Sequence, residues 1–154
     1  MENVRRISSF SVDHDLIDEG IYVSRIDGDI TTYDLRTRKP NMGDYMDNIT
    51  MHSVEHMVAT YIRNSQIGAD VIYFGPMGCR TGFYLLVRNA DNAVVLEALK
   101  QVLAKTAFEA TEMFGATRVE CGNYRELSLD AARAEAKRYL DALNSREQSF
   151  AYKS

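Results

Sequence analysis

A short β-hairpin is the feature of this sequence that most restricts its fold. Two runs rich in β-branched and aromatic residues, 21–26 and 30–36, are separated only by Asp27-Gly28-Asp29. An Asp-Gly pair between two such runs is typical of a tight hairpin turn. A parallel βαβ fold is possible for the rest of the chain, but a hairpin at its start favours an α+β sheet.

After the hairpin, the sequence alternates helical and strand-like segments with short connections. We predict a helix from about Thr50, as its N-cap, to about Ser65, with Gly68 just beyond its end. Two short apolar strands follow at 71–74 and 83–87, joined by a tight glycine-rich loop. Three further predictions are a helix from about Asn92 to Phe114 stopped by Gly115, a strand at 117–121, and a helix from Leu129 to about Asn144 capped by Ser128.

Length and composition suit a single domain. The chain has 154 residues, of which 45% are hydrophobic and 26% charged, enough to bury a core without crosslinks. We therefore predict one α+β domain over residues 1–154, with a mainly antiparallel sheet packed against helices on one face. Its tail, 145–154, is expected to be frayed.

Net charge and cysteine content restrict the classes of binding partner and the cellular compartment that we expect. A formal net charge of -4 argues against nucleic acid and anionic membranes as partners. The N-terminus lacks the apolar region of a signal peptide, and no apolar run approaches the roughly 18 residues of a membrane span. We expect a cytoplasmic protein whose two cysteines stay reduced; a disulfide between them is the alternative.

The run from His52 to His56 places two imidazoles and a carboxylate on one helix face. On a helical wheel, His52, Glu55 and His56 share an arc of about 100°. Two histidines at i and i+4 can hold one metal ion. A hydrogen-bonded histidine is the usual explanation for one helical His, but this pattern favours a metal site. The apolar residues of the helix fall on a separate face: Met51, Val54, Val58, Tyr61 and Ile62.

A third ligand has to come from elsewhere in the chain. The candidates are Cys121, Cys79, His14 and acidic side chains. Cys121 ends the predicted strand beside Gly122, where a thiolate can approach an ion. Two histidines and one cysteine would leave a fourth position open, which is typical of catalytic rather than structural metal sites.

Cys79 lies in a loop that favours reactive chemistry. Gly75, Gly78 and Gly82 bracket it and permit unusual backbone angles. Arg80 is adjacent, and a positive neighbour or a metal generally lowers the pKa of a thiol. Cys79 could act as an acid/base group or a nucleophile; a small buried residue on a tight loop is the alternative.

In their order along the chain, these motifs resemble those of the S-ribosylhomocysteine lyase family, bacterial enzymes of autoinducer-2 synthesis. The resemblance covers nearly the whole chain. It rests on residues 9–14 (SFSVDH), 33–36 (YDLR) with 39–41 (KPN), 52–56 (HSVEH), 75–84 (GPMGCRTGFY) and 120–122 (ECG). One departure precedes Pro76, where some family members carry Asp and Ser and this chain has Tyr73-Phe74-Gly75.

The resemblance implies a homodimeric carbon–sulfur lyase with active sites at the subunit interface. Such an enzyme cleaves S-ribosylhomocysteine to homocysteine and 4,5-dihydroxy-2,3-pentanedione, the autoinducer-2 precursor. It moves a carbonyl along the ribose chain through enediolates and then eliminates the thiol. The product would serve quorum sensing, or the reaction would only recycle homocysteine in the methionine cycle.

The resemblance also assigns roles to individual residues. His52, His56 and Cys121 would bind one divalent metal per subunit as a Lewis acid, iron(II) in native family members and replaceable by zinc or cobalt. Glu55 and Cys79 would be the two general acid/base groups. The substrate-binding residues implied by the pattern are Ser9, His14 and Arg36, reaching the substrate of the neighbouring subunit, and Arg63 at the homocysteine end.

Two other functions fit part of the sequence. A metalloprotease of the inverted His-x-x-Glu-His class explains the helix but neither Cys79 nor a thiol ligand. A metal-dependent structural or regulatory module would instead have a closed site, with Cys79 as fourth ligand. The donor set itself suits zinc and iron(II) alike.

Overall fold

One antiparallel sheet organises the chain. In the computed structural model, which describes residues 2–154, four strands pair in the order β1-β2-β4-β3. They are β1 (Gly20–Asp27), β2 (Ile30–Arg36), β3 (Val71–Pro76) and β4 (Gly82–Arg88). The predicted hairpin is confirmed, since β1 pairs with β2 and Gly28 in the turn has a φ of 60°. This left-handed conformation costs glycine little.

Within the described residues, three α-helices cover one face of the sheet. They are α1 (Asn48–Arg63), α2 (Asn92–Ala104) and α3 (Leu129–Asn144). Leu35 and Phe83 of the sheet meet residues of all three helices around one small internal cavity. These contacts confirm the α+β arrangement with helices on a single face. The helix residues around this cavity are Val54, Val58, Leu99, Leu103, Glu135, Ala136 and Tyr139.

Each α-helix begins at a side chain that caps it. Asp47 caps α1 by accepting a hydrogen bond from the Thr50 backbone N–H at 2.7 Å. Thr50 was the predicted cap, and this prediction is wrong because Asp47, a strong capping residue, precedes it. Asp91 caps α2, and Ser128 caps α3 as predicted. In the described part of the chain, no helix is long and apolar enough to cross a bilayer.

Helix α2 ends earlier than predicted. A single wider π-helical turn follows it at Lys105–Glu109, and Ala110 is extended, with a ψ of 131°. The helix predicted to reach Phe114 is therefore too long. The reason is tertiary, because the segment after Ala110 crosses to α1, where the Phe114 carbonyl is a hydrogen-bond partner of the His56 ring.

The strand predicted at 117–121 is a pair of turns. The Thr117 carbonyl accepts hydrogen bonds from the N–H groups of Glu120 and Cys121, each at 3.1 Å. Val119, whose β-propensity favoured a strand, is 96% exposed. The segment has no partner among the described strands, and β-propensity without a partner is a weak determinant.

The C-terminal tail is held against the sheet rather than frayed. Phe150 forms a parallel bridge with Tyr22 at the outer edge of β1, and its carbonyl accepts from the Val23 N–H at 2.8 Å. The Tyr152 ring stacks on Tyr22 with centroids 5.0 Å apart. The prediction of a frayed tail is wrong because the aromatic side chains of this segment find partners on the sheet.

Candidate metal centre and active site

Helix α1 presents the two histidines of the predicted metal site. The rings of His52 and His56 lie edge to face, with centroids 4.6 Å apart. Sγ of Cys121 comes from the turn after Thr117 to within 3.4 Å of Nε2 of His52. The ligand atoms of the three residues all lie within 4.8 Å of one another. Ligands on one tetrahedral ion of this type are about 3.5 Å apart, so small shifts suffice to close the site.

Backbone carbonyls hold both imidazole rings. Nδ1 of His52 bonds to the Glu126 carbonyl and Nδ1 of His56 to the Phe114 carbonyl, each at 2.9 Å. A carbonyl only accepts, so Nδ1 carries the proton in each neutral ring and Nε2 has its lone pair free. This is the tautomer that metal ligation needs, and the two-nitrogen, one-sulfur set suits a divalent ion.

The loop that carries Cys121 is fastened to α1 at both ends. Phe114 precedes it and bonds to His56, while Ser128 follows it and donates its N–H to Oγ of Ser53 at 2.8 Å. Ser53 is completely buried. Sequence reasoning missed this anchor. The available signal was a small polar residue next to His52, on the side of α1 that faces the protein.

Glu55 lies beside the candidate metal site in an open cavity of about 330 Å³. His52, Pro76 and Asn123 line the same cavity. A small molecule entering it would meet the carboxylate and the imidazole together. Pro76 ends β3, and the loop carrying Cys79 follows it directly.

Cys79 is exposed and free, in the loop between β3 and β4. In the part of the chain that the structure describes, the metal group consists of His52, His56 and Cys121 and does not include Cys79. This geometry disfavours the closed cage with Cys79 as fourth ligand. Sγ of Cys79 instead lies 3.1 Å from Oγ1 of Thr81.

The unusual backbone angle of this loop falls on Arg80 rather than on a glycine. Arg80 has a φ of 62°, whereas Gly75, Gly78 and Gly82 do not adopt positive φ. Gly82 serves close packing, since a β carbon there would lie 2.5 Å from the Leu35 carbonyl oxygen. The prediction that glycines supply the special angles is wrong at this point.

Arg36, predicted to bind substrate, is buried in an ion pair. It is 3% exposed, and its Nε and Nη2 donate to the two oxygens of Asp34 at 3.1 and 2.7 Å. Its Nη1 donates to Oγ1 of Thr81 at 2.9 Å. Burial works against the charge, but the hydrogen bonds and charge of Asp34 outweigh it and raise the pKa of Arg36. Arg36 is thus a permanent cation, and only the side chain of Thr81 lies between it and the sulfur of Cys79.

Ser9 lies on the face of the sheet opposite the helices. It helps to line a cavity of about 400 Å³ together with Thr32, Tyr73 and Tyr84. Burial raises the pKa of Tyr84, and the nearby charge of Asp34 raises it further. The Tyr84 hydroxyl therefore stays protonated.

His14 and Arg63 contact backbone carbonyls within the chain. Nδ1 of His14 is 2.9 Å from the Val12 carbonyl oxygen. Arg63 donates to the carbonyls of Val71 and Ile72 at 3.3 and 3.0 Å. Neither residue lines the cavity beside Glu55 in this single chain. The structure brings Glu55 together with the His52, His56 and Cys121 group and joins Arg36 to Cys79 through Thr81. It does not bring Ser9, His14 or Arg63 to the cavity beside Glu55.

Comparison with known proteins covers almost the entire chain. The family model of S-ribosylhomocysteinase (LuxS) matches residues 7–150. The S-ribosylhomocysteine lyase of Borreliella afzelii is 38% identical over 156 residues, covering 97% of this chain and 99% of that protein. That of Desulfotalea psychrophila is 38% identical over 159 residues, covering 98% and 100%. That of Clostridium beijerinckii is 39% identical over 160 residues, covering 97% and 99%.

The matched region contains the metal triad, Glu55 and Cys79. The chain is therefore an enzyme, and its class is that of the carbon–sulfur lyases. It belongs to the S-ribosylhomocysteinase family, which confirms the resemblance in its motifs. This membership replaces the metalloprotease alternative, which accounted for α1 but for neither cysteine.

Proposed function

We propose that this chain cleaves the thioether of S-ribosylhomocysteine, releasing homocysteine and 4,5-dihydroxy-2,3-pentanedione, the precursor of autoinducer-2. The observation that carries the proposal is the His52, His56 and Cys121 group, with both Nε2 atoms freed by Nδ1 bonds to backbone carbonyls. Its setting is a chain that matches the family over nearly its full length.

We assign one divalent metal per subunit to this group, iron(II) in the native enzyme, with zinc or cobalt able to replace it. When bound, the metal supplies Lewis-acid polarisation of the substrate carbonyl. Three protein ligands leave room for the substrate, as in catalytic sites generally. The cavity beside Glu55 gives the sugar access to this position.

Cys79 and Glu55 are assigned the proton transfers. Before the sulfur can leave, the carbonyl must move twice, and each move takes a proton from a carbon next to a carbonyl and returns one to its neighbour. Cys79, exposed on its loop, acts at carbon. Glu55, in the cavity beside His52, moves protons between the sugar oxygens and assists the elimination.

The remaining predicted site residues are assigned to substrate binding. Arg63 is an exposed cation on α1 and suits the carboxylate at the homocysteine end. Ser9 and His14 belong to the N-terminal segment and are assigned to the neighbouring subunit's site. Arg36 contributes its buried positive charge next to the Cys79 loop.

A homodimer with shared sites is part of the proposal. Helices cover one face of the sheet, while the opposite face carries the 400 Å³ cavity lined by Ser9 and by Tyr73, which is 50% exposed. A second copy packed on this face would bury it and bring each N-terminal segment towards its neighbour's site. Both cysteines are free, and a site that uses two thiols requires a reducing compartment such as the cytoplasm.

Metal-dependent thiol release tests the activity directly. Anaerobically purified protein is mixed with S-ribosylhomocysteine, and homocysteine is followed with a chromogenic thiol reagent. We expect release by the metal-loaded protein, none after chelation, and recovery on reloading with iron(II). Absence of metal-dependent release from the loaded protein would refute the proposed function.

Two cysteine variants separate the roles of the thiols. Cys121→Ala should lose both metal and turnover, because it removes one of three ligands. Cys79→Ala should abolish turnover and keep the metal, as measured by elemental analysis. The absorption spectrum of the cobalt-substituted protein should count one thiolate ligand; two thiolates would instead support the closed structural cage.

Mixing inactive variants tests the shared site. His14→Ala and Cys79→Ala are each expected to be inactive, but a heterodimer of the two contains one intact site. Random subunit exchange should therefore restore roughly a quarter of the wild-type activity. No recovery, in a mixture shown by light scattering to be dimeric and exchanging, would place the whole site within one subunit.

A further inference from the structure

A continuous chain of hydrogen bonds joins the C-terminal tail to Cys79. The Tyr152 hydroxyl donates to Oδ2 of Asp34 at 2.7 Å, and Asp34 accepts two hydrogen bonds from Arg36. Arg36 in turn donates to Thr81, whose Oγ1 lies 3.1 Å from Sγ of Cys79. The three central residues are each no more than 3% exposed. Polar contacts shielded from water in this way interact strongly.

At the cysteine end of this series of hydrogen bonds, the chemistry of the side chains determines which group donates and which accepts. The guanidinium of Arg36 can only donate, so the Thr81 oxygen accepts from it. The single hydroxyl hydrogen of Thr81 is then available for Sγ of Cys79. A hydrogen bond donated to sulfur favours the thiolate, the form that removes protons and reacts with electrophiles.

Tyr152 forms the opposite end. Burial raises the pKa of its hydroxyl, and the neighbouring charge of Asp34 raises it further, so the group stays protonated and donates. Its ring lies nearly parallel to that of Tyr22, with an angle of 9° between the planes. The hydroxyl shares Oδ2 of Asp34 with Nη2 of Arg36, and thereby fixes the carboxylate that orients the guanidinium.

We propose that Thr81 and Tyr152 are positioning residues for Cys79: the buried chain directs the Thr81 hydroxyl at the sulfur, and the C-terminal tail supplies the outermost link. The inference rests on the proposed proton-transfer role of Cys79. It makes residues near the end of the chain part of the support of the active site, although they are far from it in sequence.

The rate at which iodoacetamide alkylates Cys79 measures this support. The metal-loaded protein is treated at neutral pH, and the peptide containing Cys79 is quantified by mass spectrometry, which separates it from Cys121. Thr81→Val removes the hydroxyl but keeps the branched shape, and should slow alkylation about tenfold, the effect of one hydrogen bond to a charged group. Thr81→Ser keeps the hydroxyl and should remain within about twofold of wild type.

Removing the Tyr152 hydroxyl tests the tail. Tyr152→Phe keeps the stacked ring and should slow alkylation by about threefold, since its effect passes through Asp34 and Arg36. Tyr22→Phe is the matched control: it belongs to the same stacked pair, but its hydroxyl donates to the Asp18 carbonyl at 2.7 Å, outside the chain of hydrogen bonds. Cys79 of this control variant should be alkylated at the wild-type rate.

The opposite outcome is expected if these residues only hold the loop together. A loosened loop exposes the thiol further and speeds its alkylation. Unchanged or faster alkylation of Thr81→Val would overturn the proposal, and equal effects of Tyr152→Phe and Tyr22→Phe would remove the tail from it. Alkylation needs no lyase activity, so failure of the wild type to release homocysteine would refute the proposed function separately.

Discussion

Gly115 lies directly against the imidazole ring of His56. A β carbon at Gly115 would lie 2.8 Å from Nδ1 and 3.1 Å from Cε1 of that ring. Nδ1 is the atom that bonds to the Phe114 carbonyl and thereby leaves Nε2 free. Gly115 also has a φ of 68°, where side-chain residues are strained. Glycine is required here for the backbone angle and for the position of a proposed metal ligand.

Gly115→Ala should therefore weaken metal binding. The added methyl group displaces the His56 ring from its carbonyl partner, and loss of such a supporting hydrogen bond typically costs about 10- to 100-fold in affinity. Competition with a chromophoric chelator measures the change. Gly28→Ala is the control, because Gly28 has a similar φ of 60° but nothing within 4 Å of the added carbon. Equal metal affinities in the two variants would contradict this account of Gly115.

Removing one partner of the buried Arg38–Glu135 ion pair should be strongly destabilising. Arg38 donates to both oxygens of Glu135 at 3.0 and 2.6 Å, and the Glu135 side chain is only 4% exposed. Arg38→Met leaves this carboxylate buried without its main partner, which should lower the free energy of unfolding by about 3 kcal/mol. Arg138, with Nη1 3.9 Å from the same carboxylate, keeps the loss from being larger. Urea denaturation of Arg38→Met and of the wild type measures this change in the free energy of unfolding.

An exposed pair of the same geometry is the control for Arg38. Arg25 also makes two hydrogen bonds to one carboxylate, that of Asp27, but both side chains are more than half exposed. Water screens such a pair, so Arg25→Met should change the free energy of unfolding far less than Arg38→Met does. Similar losses in Arg25→Met and Arg38→Met would show that burial does not set the difference.

The Ser53 anchor should matter for stability and for the metal site. Ser53→Ala leaves the Ser128 N–H without its acceptor at the start of α3, at a cost of about 1 kcal/mol. The loop carrying Cys121 loses one of its two attachments, so chelator competition should also show weaker metal binding. Thr60→Ala, whose hydroxyl bonds only within α1, should be close to neutral in both measurements. Unchanged metal affinity in Ser53→Ala would show that the Phe114 attachment suffices.

The attachment of the tail should weaken in acid. A hydrogen bond from Lys153 lowers the pKa of Asp18 against the effect of burial, and the charges of Lys153, Lys39 and Arg146 lower it further. Because the pKa is below its usual 3.8 in the folded protein, this contribution is complete above that value and is lost as the pH falls through the lowered pKa. Hydrogen exchange at the Val23 N–H, which bonds to the tail, should accelerate there after correction for intrinsic rates.

Asp18→Asn provides the matching measurement at neutral pH. It removes the carboxylate charge permanently and should produce the faster Val23 exchange without acid. Exchange at the wild-type rate in this variant would mean that the pairing of Phe150 with β1 holds the tail without Asp18.

Features that depend on near neighbours in sequence could be predicted. Gly28 marks the hairpin because the turn needs its backbone freedom within a few residues, and Ser128 caps α3 through the next turn. The spacing of His52 and His56 places two imidazoles together on any helix. Cys121 could be chosen as third ligand only through the resemblance, because nothing in its local sequence indicates where its turn lies.

Features that depend on partners distant in sequence could not be predicted. Helix α2 ends where it does because Phe114 contacts His56, and the segment at 117–121 is a turn because it crosses to α1 rather than joining the sheet. The burial of Arg36 was partly readable, since Asp34 lies two residues earlier on the same side of β2. The hydrogen bond from Tyr152 to Asp34 could not be predicted, because the two residues lie far apart in the sequence.

The pairing of the tail with β1 also sets an order of events during synthesis. Tyr152 is made 118 residues after Asp34, its hydrogen-bond partner. At ribosomal rates of about 5–20 residues per second, the two are separated by roughly 6–24 s. Throughout that interval the outer edge of β1 has no partner, and such an edge can pair with other nascent chains. A message truncated before Phe150 would make this exposure permanent.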